Sequence, residues 1–152
     1  MVEKIVSFYK SNSKDVREDL FDEFAIKVAN SLSKVSENPK NPNKPFRNGV
    51  TSTQIRKIFD EVKRYERLLI NEDEKSWKKQ LPYIKMINSK VHYAVARAKK
   101  NASKDSIYYD NLQAFISEGI SLIKCQQDYH IFVALFESVY GFYYEKRPDL
   151  KN

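Results

Sequence analysis

Val50-Thr51-Ser52-Thr53-Gln54-Ile55-Arg56-Lys57-Ile58-Phe59-Asp60-Glu61-Val62-Lys63-Arg64-Tyr65-Glu66-Arg67-Leu68-Leu69-Ile70 opens with helix-start signals and continues at helical period. Thr51 is placed to cap a helix, and Gln54, three residues on, to reach back to the Thr51 amide. Val50 and Ile55 occupy the two positions of a hydrophobic staple. Gly49 lets the chain turn sharply into the helix. Ile55, Ile58, Phe59, Val62, Tyr65 and Leu69 form one apolar stripe. Arg56, Lys63 and Arg67 run along one flank of that stripe, and Lys57 and Arg64 form a second basic row. Such a helix docks on a core and offers cations outward. Asp60, Glu61 and Glu66 interleave with those cations at pair-forming intervals, so the same pattern also fits an ordinary solvated face with surface ion pairs.

The chain has 152 residues, enough for one domain with a substantial core. Its 3 glycines are few for an all-β fold, and long periodic runs rich in Lys, Glu, Leu, Ala and Ile predict an all-α domain. The net charge of +7 is uneven. Residues 40–100 carry 16 Lys/Arg against 6 Asp/Glu, whereas the segments on either side are slightly acidic. A basic excess so concentrated favours a polyanion, nucleic acid before an anionic membrane surface. Cys125 is the only cysteine, which excludes an intramolecular disulfide or a Cys-based metal site and fits a reducing cytoplasm. Met1–Phe8 is too short and too charged for a signal peptide, and no apolar run reaches about 18 residues. The expectation is a soluble cytoplasmic protein with no membrane partner.

Outward from the central stretch, Val2, Ile5, Val6 and Tyr9 give an N-terminal arm (1–12) with helical spacing. Asp15, with Glu18 three residues later, predicts a helix to about Ser33 that buries Leu20, Phe21, Phe24, Val28 and Leu32. Acids near its start suit the helix dipole. Ser36–Gly49 reads as irregular, because Pro39, Pro42 and Pro45 recur among asparagines and the cations Lys40, Lys44 and Arg47. So long a loop either passes over a ligand or permits segment exchange between chains. Beyond the acidic Asn71-Glu72-Asp73-Glu74, a helix is predicted from about Tyr83 to Lys100, with Trp77 and Leu81 leading in and Pro82 in its first turn. It buries Ile84, Ile87, Val91, Ala94, Val95 and Ala98 and presents Met86, Lys90, Tyr93, Arg97 and Lys100. Lys-Tyr-Arg at intervals of three and four supplies cations for phosphate and a ring for stacking. It equally fits an amphipathic helix whose tyrosine covers a neighbour. A further helix, from about Tyr109 to Lys124, buries Leu112, Phe115, Ile116, Ile120 and Ile123. Gly119 inside it marks a close helix–helix approach. After the break Gln126-Gln127-Asp128, the helix Tyr129–Glu145 is apolar nearly all round, so it is central to the core or meets another chain.

Chemistry finds little footing. His92 and His130 lack metal-ligand spacing, and Cys125 reads as a buried thiol. No glycine-rich phosphate loop, Ser/His/Asp arrangement or acidic Mg²⁺ cluster is visible. No catalytic residue, metal site or cofactor is therefore expected.

Gly49-Val50-Thr51-Ser52-Thr53-Gln54-Ile55-Arg56-Lys57 and its helix resemble the signature of the small subunit of type III-A CRISPR effector complexes, the Csm small-subunit family. Phe136-Glu137-Ser138-Val139-Tyr140-Gly141-Phe142-Tyr143 is similar to that family's C-terminal helix, and Lys90–Arg97 to its tyrosine-and-arginine helix. The resemblance spans residues 45–146 and implies a single compact bundle of about five helices without enzymatic activity. It implies copies stacked beside other effector subunits, lining the path of guide and target RNA. The implied RNA-contacting set is Arg47, Thr53, Arg56, Lys57, Lys63, Arg64, Lys90, Tyr93, Arg97 and Lys100. Arg56 and Lys57 would add their charge to a helix start left partly open. With the two helices packed through their apolar stripes, Arg56, Lys57, Lys90, Tyr93 and Arg97 would line one strip. This chain departs from the family pattern at Gly141-Phe142-Tyr143-Tyr144, where a neighbouring subunit would sit.

Two other readings compete. One is a free-standing DNA-binding regulator, opposed by a loop far longer than a helix-turn-helix turn and by a thin base-reading set. The other is a helical interaction module whose charge only solubilises it. A small nuclease lacks the residues it would need. The apolar last helix and the proline loop also predict a homo-oligomer when natural neighbours are absent.

Overall fold

Asp128 is among the few buried carboxylates of this chain, and it fastens the N-terminal arm. In the computed structural model, which describes residues 4–69 and 73–149, it accepts hydrogen bonds from the Tyr9 hydroxyl and, at 2.9 Å, from the Lys124 amide. Burial and the Asp128 hydrogen bond both push the Tyr9 hydroxyl above its ordinary pKa. The arm is extended rather than helical: Ile5 and Phe8 are buried while Val6 is exposed, and Tyr9 pairs with Val16 in an antiparallel bridge. Val2 lies outside the described residues.

That bridge also displaces the predicted helix start at Asp15. The chain enters a single π-turn at Leu20–Phe24, preceded by Asp19, whose carboxylate is held by Arg17 at 2.7 and 3.0 Å. It continues as α1, Ala25–Asn30, stopping short of Ser33. Leu20, Phe24, Val28 and Leu32 are buried as their spacing requires, but Phe21 is exposed. The wider π-turn rotates it off the apolar face.

The segment read as irregular contains a β-hairpin. Strands β1, Ser33–Ser36, and β2, Phe46–Gly49, pair antiparallel with Ser33 opposite Gly49 and Ser36 opposite Phe46. All three prolines fall between the strands, so none removes a ladder donor. Gly49 closes the hairpin at φ +135°, and a Cβ there would lie 2.4 Å from the Leu32 carbonyl oxygen, so only glycine fits. The domain is thus all-α apart from this ribbon.

Helix α2, Ser52–Leu69, follows. The Thr51 hydroxyl accepts from the Gln54 amide at 3.4 Å, and Val50 and Ile55 are both fully buried, completing the staple. The Thr51 amide donates to the Tyr109 hydroxyl rather than to Gln54. Helix α3 runs Glu74–Asn101, starting well before Tyr83. Asp73 accepts from the Ser76 amide at 2.8 Å and caps it, buried Trp77 anchors its first turn, and Pro82 sits inside on an exposed face. Helices α4, Ser106–Ser121, and α5, Gln126–Tyr144, complete the bundle; both begin three residues before the predicted points.

Helix α5 is the hub. It packs against α1, α2, α4 and the π-turn, which accounts for its apolar circumference. Phe132 and Phe136 pack with Phe115, and Phe136 also meets Phe59 of α2 at 5.3 Å. Two buried tyrosines tie α5 to α2: Tyr129 donates to the Val62 carbonyl at 2.6 Å, and Tyr143 to the Val50 carbonyl. Helix α3 packs on α2 and α4. Its Lys85 donates to the Ile120 and Ile123 carbonyls at 2.6 and 3.1 Å, placing a cation at the negative end of α4. Burial lowers the Lys85 ammonium pKa.

Candidate nucleic-acid interface

The outer arc of α2 carries Thr53, Arg56, Lys57, Asp60, Arg64 and Arg67, all exposed. Positions 54, 57, 61 and 64 follow one another along one side of that arc, and α3 lies beside them. There Gln54 and Lys57 meet Tyr93, Ala94, Arg97, Ala98 and Asn101 around a groove of about 400 Å³. A smaller hollow of about 200 Å³, lined by Lys57, Ile58, Glu61, Ile87, Lys90, Val91 and Ala94, extends along the same helix pair. Tyr93 is 68% exposed, so most of its surface stays open to solvent. Among the described residues neither Lys57 nor Arg97 is in an ion pair, and Lys100 stands exposed and unpaired near the end of α3. The groove therefore joins two uncompensated cations, an exposed ring and two amide side chains.

Other members of the sequence-predicted set are placed differently. Glu61 accepts from Arg64 at 3.0 and 3.3 Å and from Lys90 at 2.5 Å. These hydrogen bonds, Arg64 first and Lys90 second, hold its carboxyl below its ordinary pKa despite partial burial. Lys63 pairs with Glu66 at 2.9 Å, and His130 Nδ1 lies 3.2 Å from the other Glu66 oxygen. Arg56 turns away from the groove toward α5, donating to the Tyr140 hydroxyl at 3.5 Å. One strip containing both Arg56 and Lys57 is thus not what the helix pair forms. Arg47 lies half-buried on β2 opposite Val35, and Thr53 is exposed in the first turn of α2.

The start of α2 is closed. Asp149 places one carboxylate oxygen 3.4 Å from the Ser52 amide and accepts the Ser52 hydroxyl with the other. Burial raises the Asp149 carboxyl, but the Ser52 hydroxyl and backbone amides outweigh it, leaving its pKa below the ordinary value. The expected contribution of an open helix end to phosphate binding is therefore overturned, because the chain supplies its own anion there. Cys125 is exposed just before α5, not buried. His92 is exposed, 3.3 Å from the Ser117 hydroxyl. No three His, Cys, Asp or Glu side chains among the described residues are grouped to hold a metal.

Two groove residues escaped the sequence reading of the RNA-contacting set. Gln54 figures in the sequence only as a cap partner and, with Arg56, as the thin base-reading set of the DNA-binding alternative, and Asn101 sits one turn beyond Arg97, a spacing that reveals it. No described helix is long and apolar enough to cross a membrane. No curated protein and no solved structure matches the chain. The family model described as Csm2 Type III-A matches residues 27–147, a span that includes the hairpin, α2, the groove and all of α5. The match spans well over half of the chain, which therefore belongs to the Csm2 type III-A family, the small subunit of the type III-A CRISPR effector complex.

Proposed function

We propose that this small subunit binds RNA without catalysis, holding the backbone of guide or target RNA along the α2–α3 groove while it assembles with other effector subunits and further copies of itself in the cytoplasm. The observation that carries the reading is the convergence of Lys57 and Arg97, both without carboxylate partners among the described residues, around exposed Tyr93. Cations without fixed anions can neutralise phosphates, and an exposed ring offers a stacking surface to any base. Gln54 and Asn101 add hydrogen-bonding groups but no bidentate base-reading set. Recognition is then electrostatic and tolerant of sequence. A DNA-reading role gains nothing from the fold, because a hairpin, not a tight turn, separates α1 from α2.

Salt titration of single-stranded RNA binding tests the proposal. About four neutralised phosphates give a slope of log affinity on log salt of roughly −3. Glu61 withholds Lys90 and Arg64 from an incoming phosphate, so Glu61→Gln is expected to tighten binding and to steepen the slope by about 1. A flat salt response, or a strong preference for one base sequence, contradicts the reading.

A further inference from the structure

The fold explains two of the three glycines and leaves the third without an internal reason. Gly49 holds a positive φ, and Gly119 lies against Phe132. Gly141 is exposed within α5, and a Cβ there would meet nothing within 4 Å. Glycine inside a helix costs about 1 kcal/mol relative to alanine. A bare backbone is useful where something external must approach closely.

Beside Gly141 runs a ladder of rings and guanidinium groups. Tyr144, three residues on and therefore adjacent on the helix surface, is 45% exposed. It stacks on Tyr140 with centroids 6.3 Å apart and planes 22° from parallel. Arg147 lies over Tyr144 with its guanidinium carbon 3.8 Å from the ring centroid. Arg56 reaches the Tyr140 hydroxyl from the other end. Neither arginine is ion-paired among the described residues, although Asp60 bears electrostatically on Arg56 and Arg147 on Asp149. Two cations flanking a pair of rings suit a ligand that carries both negative charge and flat π faces.

We infer that the Arg56–Tyr140–Tyr144–Arg147 ladder is a second contact for single-stranded RNA: a base replaces the Arg147 guanidinium on the Tyr144 ring, which frees that cation for the phosphate, while the strand passes over Gly141. The inference rests on the RNA-binding reading but concerns the opposite edge of α2 from the groove, and it gives to RNA the segment 141–144 that the family resemblance gave to a neighbouring subunit. A strand crossing the first turns of α2, past exposed Thr53, reaches both edges.

The test uses the full chain and a single-stranded RNA carrying one 2-aminopurine, with affinity, fluorescence and melting temperature measured on each variant. Tyr144→Leu is expected to lose roughly fivefold or more in affinity together with the stacking-dependent quench, and Tyr144→Phe to retain both. Gly141→Leu, which improves helix propensity, is expected to melt no lower than the wild type yet to bind several-fold more weakly. If Tyr144→Leu and Gly141→Leu bind like the wild type while Arg97→Glu does not, the ladder is idle and only the groove stands. If wild-type protein binds no RNA, both readings fall. Should Tyr144→Leu unfold, Gly141→Leu decides alone.

Discussion

Lys57→Glu combined with Arg97→Glu is expected to weaken single-stranded RNA binding by more than tenfold while leaving the melting temperature nearly unchanged. Both side chains line the α2–α3 groove without an ion pair among the described residues, so reversal removes two phosphate partners and adds two repulsive charges. Both are exposed, and such substitutions usually alter stability by no more than about 0.5 kcal/mol. Lys14→Glu and Lys146→Glu change the net charge equally but lie outside the groove. Lys14 is exposed in the turn that follows the N-terminal arm, and Lys146 donates to the Asn30 side chain at 2.7 Å. Affinity and thermal stability measured on the same proteins separate the outcomes. Equal losses from both pairs leave only diffuse charge as the cause, and unfolding of the groove variant makes its cations structural.

The largest stability effects are expected where α4 meets α5. A Cβ on Gly119 would fall 2.4 Å from the Phe132 ring. That ring is fully buried and braced by Phe115 and Phe136, so it has little room to retreat. Overpacking of this kind costs about 1–3 kcal/mol, against a helix-propensity gain of about 1 kcal/mol for alanine. Gly119→Ala is thus expected to destabilise by up to about 2 kcal/mol. Phe132→Ala, which empties the site, is expected to cost about 3–5 kcal/mol. Chemical denaturation measures both. In the double variant Gly119→Ala/Phe132→Leu the new methyl gains room, so the losses should sum to less than additivity requires. A stabilised Gly119→Ala protein is incompatible with this helix contact.

These two sites show how far the sequence could be read. Gly119 stood out because a glycine in an apolar helix signals close approach, but its partner Phe132 lies on another helix. The start of α2 was legible because its devices are local: Gly49, the Val50–Ile55 staple and the Thr51 cap lie within seven residues. What closes that helix end was not, since Asp149 is 97 residues away from Ser52. Pro82 drew the start of α3 too late, because an exposed proline was outweighed by the Asp73 cap and buried Trp77. Three prolines concealed the hairpin, although they occupy only its connection. The Lys-Tyr-Arg spacing announced the outer face of α3 correctly. Helical period alone, however, could not show that Lys57 joins that face while Arg56, one residue earlier, turns to Tyr140. That division depends on which neighbour lies on each side of α2.

The most direct measurement of the central claim is photocrosslinking of 4-thiouridine-substituted single-stranded RNA to the full chain, with crosslinked peptides mapped by mass spectrometry. The account predicts adducts on Tyr93, carried by tryptic segment 91–97 in the wild type and 91–99 in the variant, that Lys57→Glu/Arg97→Glu suppresses. Adducts confined to the N-terminal arm and α1, unaffected by that double reversal, would contradict it.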